Sequence, residues 1–113
     1  DSMVQHAAAG TRATYIGGAR QLIYSTEVAD IVLDIQPRQQ ARHFDLMGQI
    51  LPTQDVAPST FCVQLLQETT EKALTRVDEM GEFALEALVP GTYEIILSGE
   101  GIEIHLPSLS LHG

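Results

Sequence analysis

A strict alternation of apolar residues dominates the stretch 75–97. Two runs in this stretch place an apolar side chain at every second position, which is the period of a strand with one buried face. The alternating positions are Phe83, Leu85, Tyr93, Ile95 and Leu97. Because Asp, Gly and Pro interrupt the runs where turns are needed, the stretch predicts two strands of an antiparallel β-sandwich, paired across a tight turn at Pro90-Gly91.

Two short segments have the residues that turns require. In residues 78–81, the Asp78 carboxylate can accept backbone N–H groups, and Gly81 tolerates a positive φ. In the second segment, Pro90 supplies a fixed φ and Gly91 a left-handed position. We therefore interpret Asp78, Gly81, Pro90 and Gly91 as a structural turn motif.

Strand signals follow one another at short spacing from Ala19 to the end of the chain. No segment keeps a helical period over the roughly 11 residues that an amphipathic helix needs. The 113 residues leave room for one domain. We therefore predict an all-β, Ig-like (transthyretin/prealbumin-like) antiparallel β-sandwich of about seven to eight strands over residues 19–113. The predicted strands are 20–25, 29–36, 43–51, 60–67, 73–77, 82–88, 92–98 and 102–106, with an edge segment at 109–111.

Residues 1–18 differ from the rest, because they are rich in Ala and Gly and poor in large apolar side chains. We interpret them as an N-terminal arm or linker, with a short helical turn, that becomes ordered only when it docks.

The alternation also separates a core from a second apolar set. The predicted core residues are Phe61, Val63, Leu65, Phe83, Leu85, Tyr93, Ile95, Ile102 and Ile104. Apolar residues on the opposite strand faces are Val32, Met47, Leu66 and Ile96. Either the N-terminal segment or a neighbouring strand covers this second set, or it forms an exposed surface where another chain docks or adds a strand. Gly48, in the middle of a strand, indicates a bulge or a close backbone approach.

The charge balance narrows the class of partner. The chain has 15 acidic and 6 basic residues and a net charge of −9, which repels the phosphates of nucleic acids and anionic lipids. Cys62 is the single cysteine, so we expect no intrachain disulfide and a small buried hydrophobe at that position. No apolar run reaches the roughly 18 residues of a membrane span, and the start does not resemble a signal peptide. We expect a protein partner, no nucleic acid and no membrane insertion; the cytoplasm is favoured, a secreted or surface location stays open, and the oligomeric state is undefined.

Side chains that could carry chemistry are present but do not form a known pattern. His43 and His105 could bind a metal, yet single histidines on strands are usually solvated. Asp78, Glu79, Glu82 and Glu86 invite a calcium site, but Asp78 forms the turn, and Glu82 and Glu86 are outward residues of a strand, too far apart to converge on one ion. Serines near His105 lack the Gly-x-Ser-x-Gly elbow and an orienting carboxylate. We therefore predict no enzyme activity and no catalytic, cofactor-binding or metal-binding residues.

Four motifs together resemble a known group of domains. They are Met47-Gly48-Gln49-Ile50, Val63-Gln64-Leu65, Thr75-x-x-Asp78-x-x-Gly81-x-Phe83 and Leu88-x-Pro90-Gly91-x-Tyr93-x-Ile95. This combination resembles the carboxypeptidase regulatory-like and transthyretin-like (prealbumin-like) domains, which implies an Ig-like sandwich. Residues 20–24 and 29–36, ahead of such a sandwich, resemble the C-terminal region of bacterial proteins associated with sigma factors or their anti-sigma partners.

The resemblances imply a non-catalytic protein-interaction module of a bacterial regulatory protein. The alternative is an accessory sandwich domain, secreted or on the cell surface, with a structural or carbohydrate-contact role. Carbohydrate contact usually needs exposed aromatic platforms, and the chain has no Trp and 3 Tyr.

Overall fold

The computed structural model of the chain describes residues 3–6, 12–16, 19–38, 42–53, 55–99 and 101–112. These residues form strands and one short 3-10 turn at Pro58–Thr60. The strands are β1 (Met3–His6), β2 (Arg12–Ile16), β3 (Ala19–Ser25), β4 (Ala29–Pro37), β5 (Phe44–Pro52), β6 (Cys62–Gln67), β7 (Thr70–Arg76), β8 (Glu82–Leu88), β9 (Gly91–Gly99), β10 (Ile102–His105) and β11 (Leu109–Leu111).

The strands form two sheets. Sheet I has the order β2-β3-β4-β5-β8, and sheet II has the order β1-β10-β9-β6-β7, with β11 also paired to β9. All of these pairings are antiparallel except that of β1 with β10, which is parallel. The all-β prediction is confirmed, and the two sheets enclose one core in the manner of a sandwich.

Both sheets contribute to the single core. Ile31 and Leu33 of sheet I and Val63 and Leu65 of sheet II have no exposed surface. All of the residues that the sequence assigns to the core are at most 9% exposed: Phe61, Val63, Leu65, Phe83, Leu85, Tyr93, Ile95, Ile102 and Ile104. Since burying such a side chain contributes about 1.5–3 kcal/mol, this core is the main source of stability.

The two alternating runs do not pair with each other. β8 pairs with β5 in sheet I, whereas β9 pairs with β6, β10 and β11 in sheet II. The predicted hairpin is therefore wrong, and the Pro90-Gly91 turn carries the chain from one sheet to the other. Period-two alternation could not distinguish the two arrangements, because it requires only that each strand turn one face to the core.

The bulge or close backbone approach predicted at Gly48 is not present. Gly48 lies directly opposite Phe83 in a regular part of the β5–β8 ladder. A Cβ atom at Gly48 would lie 2.1 Å from the ring carbon Cζ of Phe83, so the close neighbour is a ring and not a backbone. The register shift in this ladder falls between Phe44 and Leu46, where Ala87 of β8 has a φ of 56°.

The connection between β6 and β7 is shorter than the sequence indicates. Gln67 pairs with Thr70, so only Glu68 and Thr69 form the loop. Their φ values of 49° and 66° are those of a type I′ turn. Glu-Thr is an unusual sequence for this turn, which normally has Asn-Gly, and β7 consequently begins at Thr70 and not at residue 73.

The described parts of the N-terminal segment are strands. β1 lies beside β10, and β2 lies beside β3 at the edge of sheet I. The rest of residues 1–18, where a helical turn was expected, lies outside the described residues, and the division of the chain at residue 18 stays a prediction.

Candidate interaction surface

The apolar residues predicted to face away from the core fall on two different faces. Val32 and Met47 lie on the outer face of sheet I, since their strand neighbours are buried. Leu66 and Ile96 lie on the outer face of sheet II by the same criterion. Met47 is 49% exposed, and the other three are half-buried. The four residues therefore do not form one surface.

On sheet I, apolar side chains form a continuous diagonal that we call the apolar stripe. It consists of Ile23, Val32, Met47 and Ala84, one from each of β3, β4, β5 and β8. Ile23 lies directly opposite Val32, and Met47 lies directly opposite Ala84. Met47 also lies opposite Asp34, two residues along β4 from Val32, so Val32 and Met47 are diagonal neighbours within contact range. Ile23 and Ala84 carry no such signal in the sequence, because only the strand register shows that they extend the line.

Acidic residues lie on both sides of the apolar stripe. On one side, Asp34 separates Met47 from Gln21, and its Oδ1 atom accepts a hydrogen bond of 3.0 Å from Gln21 Nε2. On the other side are Asp30 and Glu82, each two residues from a stripe residue on the same strand. We call Asp30, Asp34 and Glu82 the acidic flanks. The described residues give none of the three an ion-pair partner.

A shallow depression of about 250 Å³ lies at the centre of this face. Its lining residues are Val32, Asp34, Met47, Gly48, Gln49 and Glu82. The depression therefore combines two residues of the apolar stripe with two of the acidic flanks.

An ion pair lies on the same sheet beyond Asp34. Arg38 Nε is 2.9 Å from Asp45 Oδ1 and 3.0 Å from Oδ2, and Oδ1 also accepts the Ala87 N–H at 3.0 Å. The hydrogen bond from Arg38, followed by that from Ala87, holds the pKa of Asp45 below its usual range. The same pair raises the pKa of Arg38. Arg38 is thus already engaged by Asp45.

A second concavity lies between the edges of the two sheets. This groove between β7 and β8 has a volume of about 450 Å³. Its lining includes Leu74, which is 62% exposed, and Val89, which is 51% exposed. Both edges are irregular: Lys72 has no partner in the β6–β7 ladder, and Ala87 has a positive φ. Bulges and charged side chains on an edge hinder pairing with another strand.

Tyr93 closes the inner end of this groove. Its hydroxyl donates a hydrogen bond of 2.6 Å to the carbonyl oxygen of Val89, and burial raises its pKa. The side chain is 2% exposed and so supports the turn between the sheets.

Two of the side chains considered for chemistry, those of Asp78 and His105, make local hydrogen bonds. Asp78 Oδ1 accepts the backbone N–H groups of Met80 at 2.9 Å and Glu82 at 2.8 Å, and Gly81 has a φ of 84°. His105 Nε2 lies 2.5 Å from Glu103 Oε1. Among the residues that the structure describes, no three His, Cys, Asp or Glu side chains form a group able to hold a metal ion.

Cys62 differs from the expected buried position, and His43 does not share a sheet with His105. Cys62 is half-buried on the outer face of β6 and is not a core residue. His43, half-buried, comes directly before β5 of sheet I, whereas His105 belongs to β10 of sheet II. The two histidines are therefore on different sheets.

Comparisons of the chain with protein-family models, with curated proteins and with solved structures find no match. Within the part of the chain that the structure describes, no helix has the length and apolar character needed to span a membrane.

Proposed function

We propose that this chain is a non-catalytic protein-interaction module whose binding site is the outer face of sheet I. The observation that carries the proposal is the apolar stripe, which takes one residue from each of four neighbouring strands and ends at exposed Ala84. Contiguous apolar surface on a soluble domain commonly marks a site of contact with another protein. Single exposed apolar residues would need no such explanation.

We further propose that the fold is an Ig-like sandwich of the transthyretin-like or carboxypeptidase regulatory-like kind. The chain would then belong to a bacterial regulatory protein. The bond from the Tyr93 hydroxyl to the backbone of Val89 supports this fold, because Ig-like domains often contain a tyrosine corner in which a Tyr hydroxyl binds the backbone a few residues upstream. The turn at Asp78 and Gly81 is a second point in favour. The regulatory assignment depends on the resemblance of the sequence.

The acidic character of the surface favours a protein over the other partner classes. A net charge of −9 opposes binding to the phosphates of nucleic acid. The tyrosine side chains that the structure describes, Tyr24 and Tyr93, are buried in the core and offer no platform for a sugar. A protein can supply both apolar and basic side chains at one surface.

Co-purification from the native host with matched variants tests this function. Met47→Glu places a charge on the apolar stripe, and Leu74→Glu places the same charge in the β7–β8 groove at a comparably exposed position. Circular dichroism and thermal melting establish first that both variants fold. We expect the tagged parent and Leu74→Glu to retain the same partner protein and Met47→Glu to lose it. Retention by both variants, or loss from Leu74→Glu alone, would overturn the proposal.

A further inference from the structure

The geometry points to the kind of partner: we propose that the apolar stripe and acidic flanks bind a basic amphipathic helix of another protein. This inference rests on the proposed function and names the chemistry of its partner. The acidic flanks provide the charge argument, and the shape of the apolar stripe provides the geometric one.

The length of the apolar stripe fits a short helix. The stripe crosses the three gaps between β3, β4, β5 and β8, which at about 4.8 Å per gap is about 14 Å across the sheet. A helix rises about 1.5 Å per residue, so about ten residues cover this distance. In such a helix the apolar residues at i, i+3 or i+4, and i+7 form one line. A sheet face is a common packing surface for a helix.

Among the side chains that the structure describes, the charge on either side of the apolar stripe has one sign. Asp34 lies on one side, and Asp30 and Glu82 lie on the other. Arg38 is the one basic residue among the described side chains of this face, and it already forms an ion pair with Asp45. A helix seated on the apolar stripe directs its flanking side chains to both sides, so Lys or Arg at these positions would meet carboxylates.

The described side chains on the outer face of sheet II do not show this pattern. Leu66 and Ile96 lie there among charges of both signs: Glu71 and Glu94, and the bases Lys72 and Arg76. Glu71 also accepts a hydrogen bond of 3.0 Å from Gln64 Nε2. This face therefore serves as an internal control, because its acidic residues also lie beside apolar side chains but have basic residues near them.

Titration with synthetic peptides of about 14 residues tests the inference directly, because at about 1.5 Å per residue they span about 21 Å and extend beyond both ends of the apolar stripe. The first peptide is an amphipathic helix with Leu along one face and Lys on either side of it. A second peptide has Glu in place of each Lys, and a third has the composition of the first in an order that is not amphipathic. We expect only the first to bind the intact chain by calorimetry, with NMR shifts centred on Val32 and Met47.

Two double variants separate a specific site from general attraction to an acidic protein. Asp34→Asn with Glu82→Gln neutralises the acidic flanks, and Glu71→Gln with Glu94→Gln removes the same charge from sheet II. Because exposed ion pairs are weak, we expect the first to lower affinity for the Lys peptide about threefold to tenfold and the second less than about twofold. Equal losses in the two variants would overturn the inference.

The result separates this inference from the proposed function. If Met47→Glu loses the native partner but the Lys peptide does not bind, the partner is not a basic helix, and the inference fails while the interaction module stands. Binding of the Glu peptide as tightly as the Lys peptide also overturns it, as do NMR shifts confined to the β7–β8 groove.

Discussion

Gly48→Ala should destabilise the native chain but stabilise a variant in which the opposite side chain, Phe83, is replaced by the shorter Leu. In the native chain, a Cβ atom at this position would lie 2.1 Å from Cζ and within 2.6 Å of both Cε atoms of Phe83. Real Cβ atoms do not approach other atoms so closely, so the ring must move. Phe83 is 4% exposed and belongs to the core cluster, which leaves the ring little room to move.

The magnitudes follow from packing. Overfilling a close-packed core costs about 1–3 kcal/mol, so Gly48→Ala should destabilise the native chain by that amount. Phe83→Leu removes the end of the ring and with it the clash. In that background Gly48→Ala should stabilise by about 0.5–1 kcal/mol, because Gly loses more conformational freedom than Ala in a strand. The coupling between the two positions is then about 1.5–4 kcal/mol, well above the ~0.5 kcal/mol of independent sites.

Urea unfolding of the four proteins of this cycle, followed by far-UV circular dichroism, measures the coupling. The free energies of unfolding are compared with one shared m-value, the slope of free energy against urea concentration, so that changes in the unfolded state do not affect the comparison. Phe83→Ala gives a separate check of ring burial and should cost about 3–5 kcal/mol. Equal destabilisation of the parent and the Phe83→Leu background by Gly48→Ala would show that the Phe83 ring is not the cause of the clash.

Three further predictions concern β5, β8 and the turn after β8. Ala87→Gly should stabilise the fold by about 0.5–1 kcal/mol in urea unfolding. A left-handed φ costs an Ala about 1–2 kcal/mol, and the added conformational freedom of Gly in the unfolded chain offsets part of that gain. Ala84→Gly on the same strand should destabilise the fold, and destabilisation by both variants would contradict this prediction. The lowered pKa of Asp45 gives stability that is present above the unfolded pKa of about 4 and is lost as pH falls through the folded pKa, so Asp45→Asn should flatten the acid limb of stability against pH, and an unchanged limb would exclude this role. Tyr93→Phe should cost about 1 kcal/mol by losing the hydrogen bond to Val89, and a melting temperature equal to that of the parent would show that the bond contributes nothing.

The sequence was most informative where alternation and turn chemistry agree. The run 82–88 matches β8, and strand boundaries elsewhere from Ala19 onward are mostly within two residues of the prediction. It failed at Glu68-Thr69, where a type I′ turn forms without Asn or Gly, so that β7 begins earlier than predicted. It also failed on pairing, because the partner of a strand depends on register and not on the strand's own pattern.

The candidate site was only partly readable from the sequence for the same reason. Alternation identified Val32 and Met47 as outward-facing, but it grouped them with Leu66 and Ile96, which lie on the other sheet. A diagonal surface has no signature along the chain, because its members come from strands far apart in sequence. The acidic flanks could not be predicted from the sequence either, since Glu82 reaches this face only through the pairing of β8 with β5.

The free energies of apolar burial and of exposed ion pairs indicate what the apolar stripe and the acidic flanks each contribute to binding. Burying a whole Val or Met side chain contributes about 1.5–3 kcal/mol, and Met47 has 49% of its surface still to bury. An exposed ion pair contributes about 0.2–1 kcal/mol, and salt screens it further. The apolar stripe should therefore supply most of the affinity, while the acidic flanks select a basic partner and fix its orientation. Strand addition at β7 or β8 would have to overcome the irregular edges at Lys72 and Ala87, whereas docking on the outer face of sheet I leaves every strand pairing intact.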